Sequence, residues 1–323
     1  MIPFFVVDRP ASLEILKGLF FKYPNLKFGL MTHINVSPKF TELYKSFPYK
    51  TPLKYFDDEI NEKKLNRIVK KNIIKISDSG AFQKNGDLLP YKILFQKYVS
   101  LGVHYGIIND VLHDKDQTLK SAEEAIIVYE ESFKGKFKLL GVAQGKTIDE
   151  YVECYQILLD LGYKYIAIGG LLKRNGNSNY VRVRNEKLLI NVVKTIQEEF
   201  KPKNLFTLGV YHPKRHKLLE ELRVWGADYK GWLFSYDEFY RNSMKYLEDT
   251  GKINKNIKNT YQKFLKYKLN YLNKKTSNSR EKYWKARKKL DEELRKIGLS
   301  LQELRYREIR ESLEKNIISQ MNH

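Results

Sequence analysis

The sequence predicts a (β/α)₈ barrel, residues 1–250, followed by a basic helical extension, residues 251–323. Three observations carry this expectation. Short β-branched or aromatic runs alternate with helix-period segments as far as residue 250. Several runs are apolar at successive positions, as in Tyr165-Ile166-Ala167-Ile168, the pattern of parallel strands covered on both faces. Beyond 250 the strand signal stops and only helical periodicity continues.

The first run, Phe4 to Asp8, leads into a helix near 11–22, and the second, Lys27 to Thr32, precedes one near 60–71. Ile73 to Ser77 is followed by a helix near 91–101, Tyr105 to Asn109 by 117–133, and Leu139 to Gln144 by 147–161. Tyr165 to Gly169 precedes 184–200, Leu205 to Val210 precedes 213–224, and Ala227 to Phe234 makes the eighth and weakest run. Eight parallel strands close a barrel. An open doubly wound sheet competes, but it usually carries a Gly-rich loop after its first strand, and Asp8-Arg9-Pro10-Ala11-Ser12 is not one. Helices near 253–272, 279–297 and 300–317 form the extension.

Composition narrows the class. With 42% hydrophobic residues the chain can bury a core. No run approaches the roughly 20 apolar residues that span a bilayer, and the start lacks the charged stretch of a signal peptide, so a cytoplasmic protein without a membrane role is expected. The single cysteine, Cys154, forms no internal disulfide and excludes a multi-cysteine zinc cluster. The net charge is +21, of which +12 falls in the 73 residues of the extension, with 20 Lys and Arg against 8 Asp and Glu. Such an excess suits a polyanionic partner; biased genomic composition is the competing explanation.

Working residues of such barrels lie at the C-terminal ends of strands. Those ends hold Asp78, Asn109 and Asp110, Gln144 and Gly145, Gly169 and Gly170, and Tyr211 and His212. Carboxylates, amides and glycines on one rim can hydrogen-bond a flat heterocycle and manage protons, although each alone could equally cap a helix or make a turn. His212 and His216, four apart, suggest phosphate contact or capping beside Lys214 and Arg215 rather than a metal pair.

The segment Ser77-Asp78-Ser79-Gly80-Ala81-Phe82-Gln83 resembles the DSGGFQ signature of tRNA-guanine transglycosylases, with Ala81 for the second glycine. Gly141-Val142-Ala143-Gln144-Gly145 is similar to their G-x-x-Q-G, Ala167-Ile168-Gly169-Gly170-Leu171 to A-I-G-G-L, and Leu208-Gly209-Val210 to M-G-V. The four fall in the family's order over residues 27–250. The resemblance implies a retaining base exchange in which a carboxylate forms a covalent glycosyl intermediate and guanine is replaced by a 7-deazaguanine, with no metal or other cofactor required. Carried over by motif, Asp78 is the acid/base beside the purine, with Ser79, Phe82 and Gln83 in its loop and Phe82 stacking on the base. Asp110 accepts from the amine and ring N–H, and Gln144, Gly169, Gly170 and Leu171 take the carbonyl edge. A shifted pKa is expected at one of the two carboxylates.

The nucleophile follows the eighth strand in the family. In Gly226-Ala227-Asp228-Tyr229-Lys230-Gly231-Trp232, aligning glycines places Gly231 there, whereas aligning the aspartate four residues before Trp232 places Asp228 there. Asp228 is preferred, with Asp237 as a third candidate and an inactive nucleic-acid-binding paralogue as the outcome if all fail. The family's zinc ligands, three cysteines and a histidine, are missing. This turns the resemblance toward its zinc-less branch, which inserts 7-deazaguanines into DNA within bacterial or viral modification systems, whose proteins are then possible partners. A zinc-less tRNA enzyme is the alternative. Lys173, where an acidic environment often serves an aminomethyl base, favours a neutral nitrile base such as preQ0.

In the extension, Tyr261, Phe264, Tyr267 and Tyr271 are interleaved with Lys263, Lys266 and Lys268, and either pack as a helix face or stack on bases. Lys282, Lys285, Arg287, Lys288 and Lys289 are the strongest candidates for phosphate contact.

Overall fold

The computed structural model describes residues 1–23, 26–52, 73–80, 88–174, 181–183, 186–233 and 241–315. It contains the expected barrel. Eight parallel strands close in the order β1 (Ile2–Val6), β10 (Gly226–Tyr229), β9 (Phe206–Thr207), β6 (Ile166–Ile168), β5 (Lys138–Ala143), β4 (Tyr105–Ile107), β3 (Ile73–Asp78) and β2 (Phe28–His33), which returns to β1. Helices Pro10–Lys22, Tyr91–Leu101, Lys115–Ser132, Ile148–Asp160 and Glu186–Phe200 lie close to their expected places. The expected helix near 60–71 lies outside the described residues.

Several elements depart from expectation. The eighth strand ends at Tyr229 and passes into a 3₁₀ turn, Gly231–Leu233, rather than running to Phe234. The seventh is only two residues long, and the helix after it is shortened to His216–Glu221 behind a 3₁₀ turn at Pro213–Arg215. A helix at Pro38–Lys45 was not foreseen. Ser37 caps it by accepting from the Phe40 N–H, and its Tyr44 hydroxyl bonds the carbonyls of Leu30 and Ile76 on β2 and β3. A two-stranded antiparallel hairpin, β7 (Leu172–Arg174) with β8 (Val181–Val183), interrupts the sixth βα connection. Lys173 belongs to this hairpin.

Side-chain volume sets which face points inward. The Phe4 ring sits edge-on to Phe206, with centroids 5.1 Å apart, and needs space on both neighbouring strands. Glycines provide it: a Cβ at Gly29 would fall 2.1 Å from that ring and one at Gly226 2.6 Å. Gly29 pairs with Phe4 in register, as does Asp228 on the other side. Because strand side chains alternate, the inward series is Phe4-Val6 on β1, Gly29-Met31-His33 on β2, Ile74-Ile76-Asp78 on β3 and Gly226-Asp228 on β10, with Asp8 and Lys230 just past the ends of β1 and β10. The N-terminal end is closed by Tyr105, Tyr165 and Trp225, with the Lys138 ammonium over both tyrosine rings at 5.1 Å. Apolar bulk fills one end of the barrel, and polar side chains occupy the other.

The chain divides into two compact units after Gly231, earlier than the position 250 expected from the sequence. The physical reason is the helix Arg241–Asp249. Its Met244 and Leu247 are buried with Ile257, Phe264, Leu290, Leu294, Leu301 and Leu304 in a core belonging to the second unit. Its Ser243 N–H and hydroxyl also bond to Glu308 and to the Leu304 carbonyl. The unit is completed by helices Lys255–Lys274, Ser277–Arg295 and Leu301–Leu313, the last opened by a Ser300–Glu303 capping box.

Candidate active site

Asp78 ends β3, and its carboxylate accepts from the Ser79 and Gly80 backbone N–H groups and from the Ser79 hydroxyl. Gly80 has φ +75, a left-handed conformation suited to glycine, and this turn brings its N–H back onto the carboxylate. Burial nevertheless holds the Asp78 carboxyl above its usual range, against those hydrogen bonds and the Lys230 charge.

Asp110 follows β4, and Gln144 follows β5 completely buried. The Gln144 amide is fixed at both ends: Nε2 donates to Asp110 Oδ2, and Oε1 accepts from the His113 N–H at 3.2 Å. Gly169 and Gly170 follow β6 against this amide. A Cβ on Gly169 would lie 2.4 Å from Gln144 Nε2, and one on Gly170 2.3 Å from Oε1. Only glycines allow the backbone to pass so close. The Tyr151 hydroxyl donates to the Gly169 carbonyl at 2.8 Å and holds that loop. Leu171, next in the chain, is buried. Burial and the neighbouring Asp78 charge push the Asp110 carboxyl up to about 7, against the hydrogen bond from Gln144.

Asp228 lies inside β10, buried at 6% exposure, with Oδ1 accepting from the Gly209 N–H. Burial raises its carboxyl to about 7, and the Asp78 charge adds to the shift. Asp78 therefore acts electrostatically on both Asp110 and Asp228. Three carboxylates on one inward rim do not all ionise together, so the group holds a proton into the neutral range and titrates as a unit.

The first two strands contribute residues that the sequence reading did not single out as functional. Asp8 follows β1 and pairs with Arg9 through Nε–Oδ1 at 2.8 Å and Nη2–Oδ2 at 3.3 Å. Burial raises the Asp8 carboxyl, but the Arg9 bond and charge, with Lys230 and His33, bring it below the ordinary value. His33 ends β2 in register with Asp78, and its Nδ1 accepts from the Asn35 N–H at 3.1 Å. That bond leaves the ring proton on Nε2 in the neutral form, which burial favours by lowering its pKa. The strand-end rule, applied from the first strand instead of the third, points to Asp8 and His33. His113 and Tyr151 carry no such signal. One reaches Gln144 through a left-handed turn, φ 62, and the other lies on the helix Ile148–Asp160.

Of the remaining candidates, Asn109 is buried and donates to the Leu89 carbonyl, a structural role. Gly145 is buried against the backbone of Tyr151 and the side chain of Glu150. His212 caps the Pro213–Arg215 turn by accepting from the Lys214 N–H, and His216 bonds the Tyr211 hydroxyl. Among the described residues no three His, Cys, Asp or Glu side chains are arranged to hold a metal. Phe82, Gln83 and Asp237 lie outside the described residues. Cys154 is buried on a helix, and burial pushes its thiol up to about 11, so it is not a nucleophile.

In the helical unit Phe264 is core, 1% exposed, and Tyr271 stacks on Tyr283 with centroids 5.5 Å apart. Lys282, Lys285, Lys288 and Lys289 are exposed, Lys285 pairing with Glu281 at 2.7 Å. Arg287 lies over the Trp284 ring at 4.8 Å, and Trp284 is 47% exposed.

No protein-family model and no curated protein matches this chain.

Proposed function

We propose that this barrel is a base-exchange glycosyltransferase of the tRNA-guanine transglycosylase type, replacing guanine in DNA with a 7-deazaguanine. The observation that carries this reading is the convergence of Asp78, Asp228 and the Asp110–Gln144–Gly169–Gly170 set on one mouth. A purine has a donor edge and an acceptor edge. Asp110 faces the amine and ring N–H, while the second Gln144 amide hydrogen and the glycine backbone serve the carbonyl. The target nucleotide has to leave its stack to enter the site.

In the first half-reaction an Asp228 oxygen bonds to the anomeric carbon as the C1′–N9 bond breaks. The bonding pair goes to guanine N9, and Asp78 gives its proton to the departing base. In the second, Asp78 takes the proton from the pyrrole N–H of the 7-deazaguanine. That nitrogen then attacks C1′, and the Asp228 carboxylate leaves unchanged. In the free site the Asp78 charge raises Asp228, so this mechanism requires the proton shared by the trio to pass from Asp228 to Asp78 when the nucleotide enters.

DNA is favoured over tRNA because the chain cannot build the three-cysteine zinc site of the tRNA enzymes, having one cysteine. The helical unit carries exposed Lys282, Lys285, Lys288 and Lys289, a basic surface suited to a polyanion. The test is incubation of the protein with guanine-containing DNA or tRNA and labelled preQ0 or related deazaguanines. Label in DNA is expected. Label in tRNA alone overturns the choice of substrate, and label in neither overturns the reaction and leaves a binding protein.

A further inference from the structure

The polar mouth of the barrel is layered by charge. Asp228 lies deep, in register with Phe4, and Lys230 follows two residues later, just past the end of the strand. Two residues of chain separate their Cα atoms by at most about 7 Å. Lys230 is exposed. Its charge acts on Asp8 and His33, which follow or end the first two strands, on Asp78 at the end of the third and on Asp228 in the eighth. Beside it on the next strand, Asp8 clamps the Arg9 guanidinium through two hydrogen bonds, and Arg9 is 48% exposed at the rim.

This order matches one nucleotide lying along the barrel axis. Base and anomeric carbon are uncharged and meet the carboxylate floor. The sugar spans the step from Asp228 to Lys230, and the phosphodiester then falls at the rim. A polyanion approaching a mouth with one buried and two half-buried carboxylates is repelled unless cations stand between, and Arg9 and Lys230 are the cations of that rim.

We propose that Lys230, supported by Arg9, is the anchor for a phosphodiester adjoining the exchanged nucleotide, so that the mouth recognises a nucleotide within a strand rather than a free base or nucleoside. The inference rests on the base-exchange reading and extends it to the substrate's backbone.

Oligonucleotides carrying one target guanine, with either flanking phosphate replaced by a neutral methylphosphonate, test it together with Lys230→Gln, Lys230→Arg and Arg9→Gln. Lys230→Gln is expected to weaken binding roughly tenfold and to reduce the slope of log affinity against log salt by about 0.7 to 0.9. Lys230→Arg is expected to retain affinity, and Arg9→Gln to lose less than Lys230→Gln. One of the two methylphosphonates should weaken the wild type as much as Lys230→Gln does, while adding nothing in that variant. Equal losses by Lys230→Gln on charged and neutral linkages overturn the anchor, as does no loss in a wild type that exchanges bases. A wild type that neither binds nor exchanges overturns anchor and base-exchange reading together.

Discussion

Asp228→Asn is expected to stabilise the protein at alkaline pH while abolishing exchange. In the fold the Asp228 carboxyl is raised to about 7, first by burial and then by the Asp78 charge, whereas an unfolded aspartate titrates near 3.9. A raised carboxyl binds its proton more tightly in the folded state. Its contribution to stability is therefore complete below about pH 3.9 and is lost as pH rises through about 7. A shift of about three pKa units is worth on the order of 4 kcal/mol at the alkaline limit. Relaxation around the charge reduces this, so the expected gain of the asparagine protein at pH 8.5 is about 1 to 4 kcal/mol. For a domain of this size it appears as an increase in Tm of roughly 3–15 °C. Near pH 4 the two proteins should melt together, because Asp228 is then neutral and the asparagine oxygen can still accept from the Gly209 N–H. Thermal unfolding of both proteins from pH 4 to 8.5 provides the measurement, alongside label exchange. A constant Tm difference across that range refutes the buried, raised carboxyl. Full exchange by the variant moves the nucleophile elsewhere, with Asp237 the next residue to test.

Gly170→Ala tests the close approach of the sixth loop. It combines a left-handed φ of +70 with a Cβ 2.3 Å from Gln144 Oε1, whereas Gly135 has φ +82 and nothing within 4 Å of its Cβ. Both alanine variants are expected to lose about 1–2 kcal/mol of stability from backbone strain, but only Gly170→Ala should raise KM for the incoming base, by roughly tenfold or more, through displacement of the amide from Asp110. Equal kinetics in the two would remove Gln144 from base recognition. In the helical unit, Trp284→Ala should weaken nucleic-acid binding several-fold with stability changed by less than about 1 kcal/mol, whereas Phe264→Ala, at a 1% exposed site, should cost about 3–5 kcal/mol. Unaltered binding by Trp284→Ala, measured by titration with fluorescent single strands, would exclude stacking at that face.

The sequence by itself determined the barrel and the residues that stand at its mouth. Alternation of short strand runs with helical periods follows from backbone geometry, and residues just past a strand face the mouth whatever the loops do, so Asp78, Asp110, Gln144 and Gly169-Gly170 were legible as a rim. What a linear pattern does not contain is which distant residues meet once the sheet closes. Pairing of β1 with β10 sets Asp228 against Phe4 and brings Asp8, Arg9 and Lys230 to one side, with residues more than 200 positions apart becoming neighbours. The left-handed turn at His113, the β7–β8 hairpin and the transfer of helix Arg241–Asp249 to the second unit likewise depended on packing. The protonation of the three aspartates was decided only by tertiary structure, because desolvation and the Asp78 charge act through space, and neither exists until the barrel excludes water from its mouth.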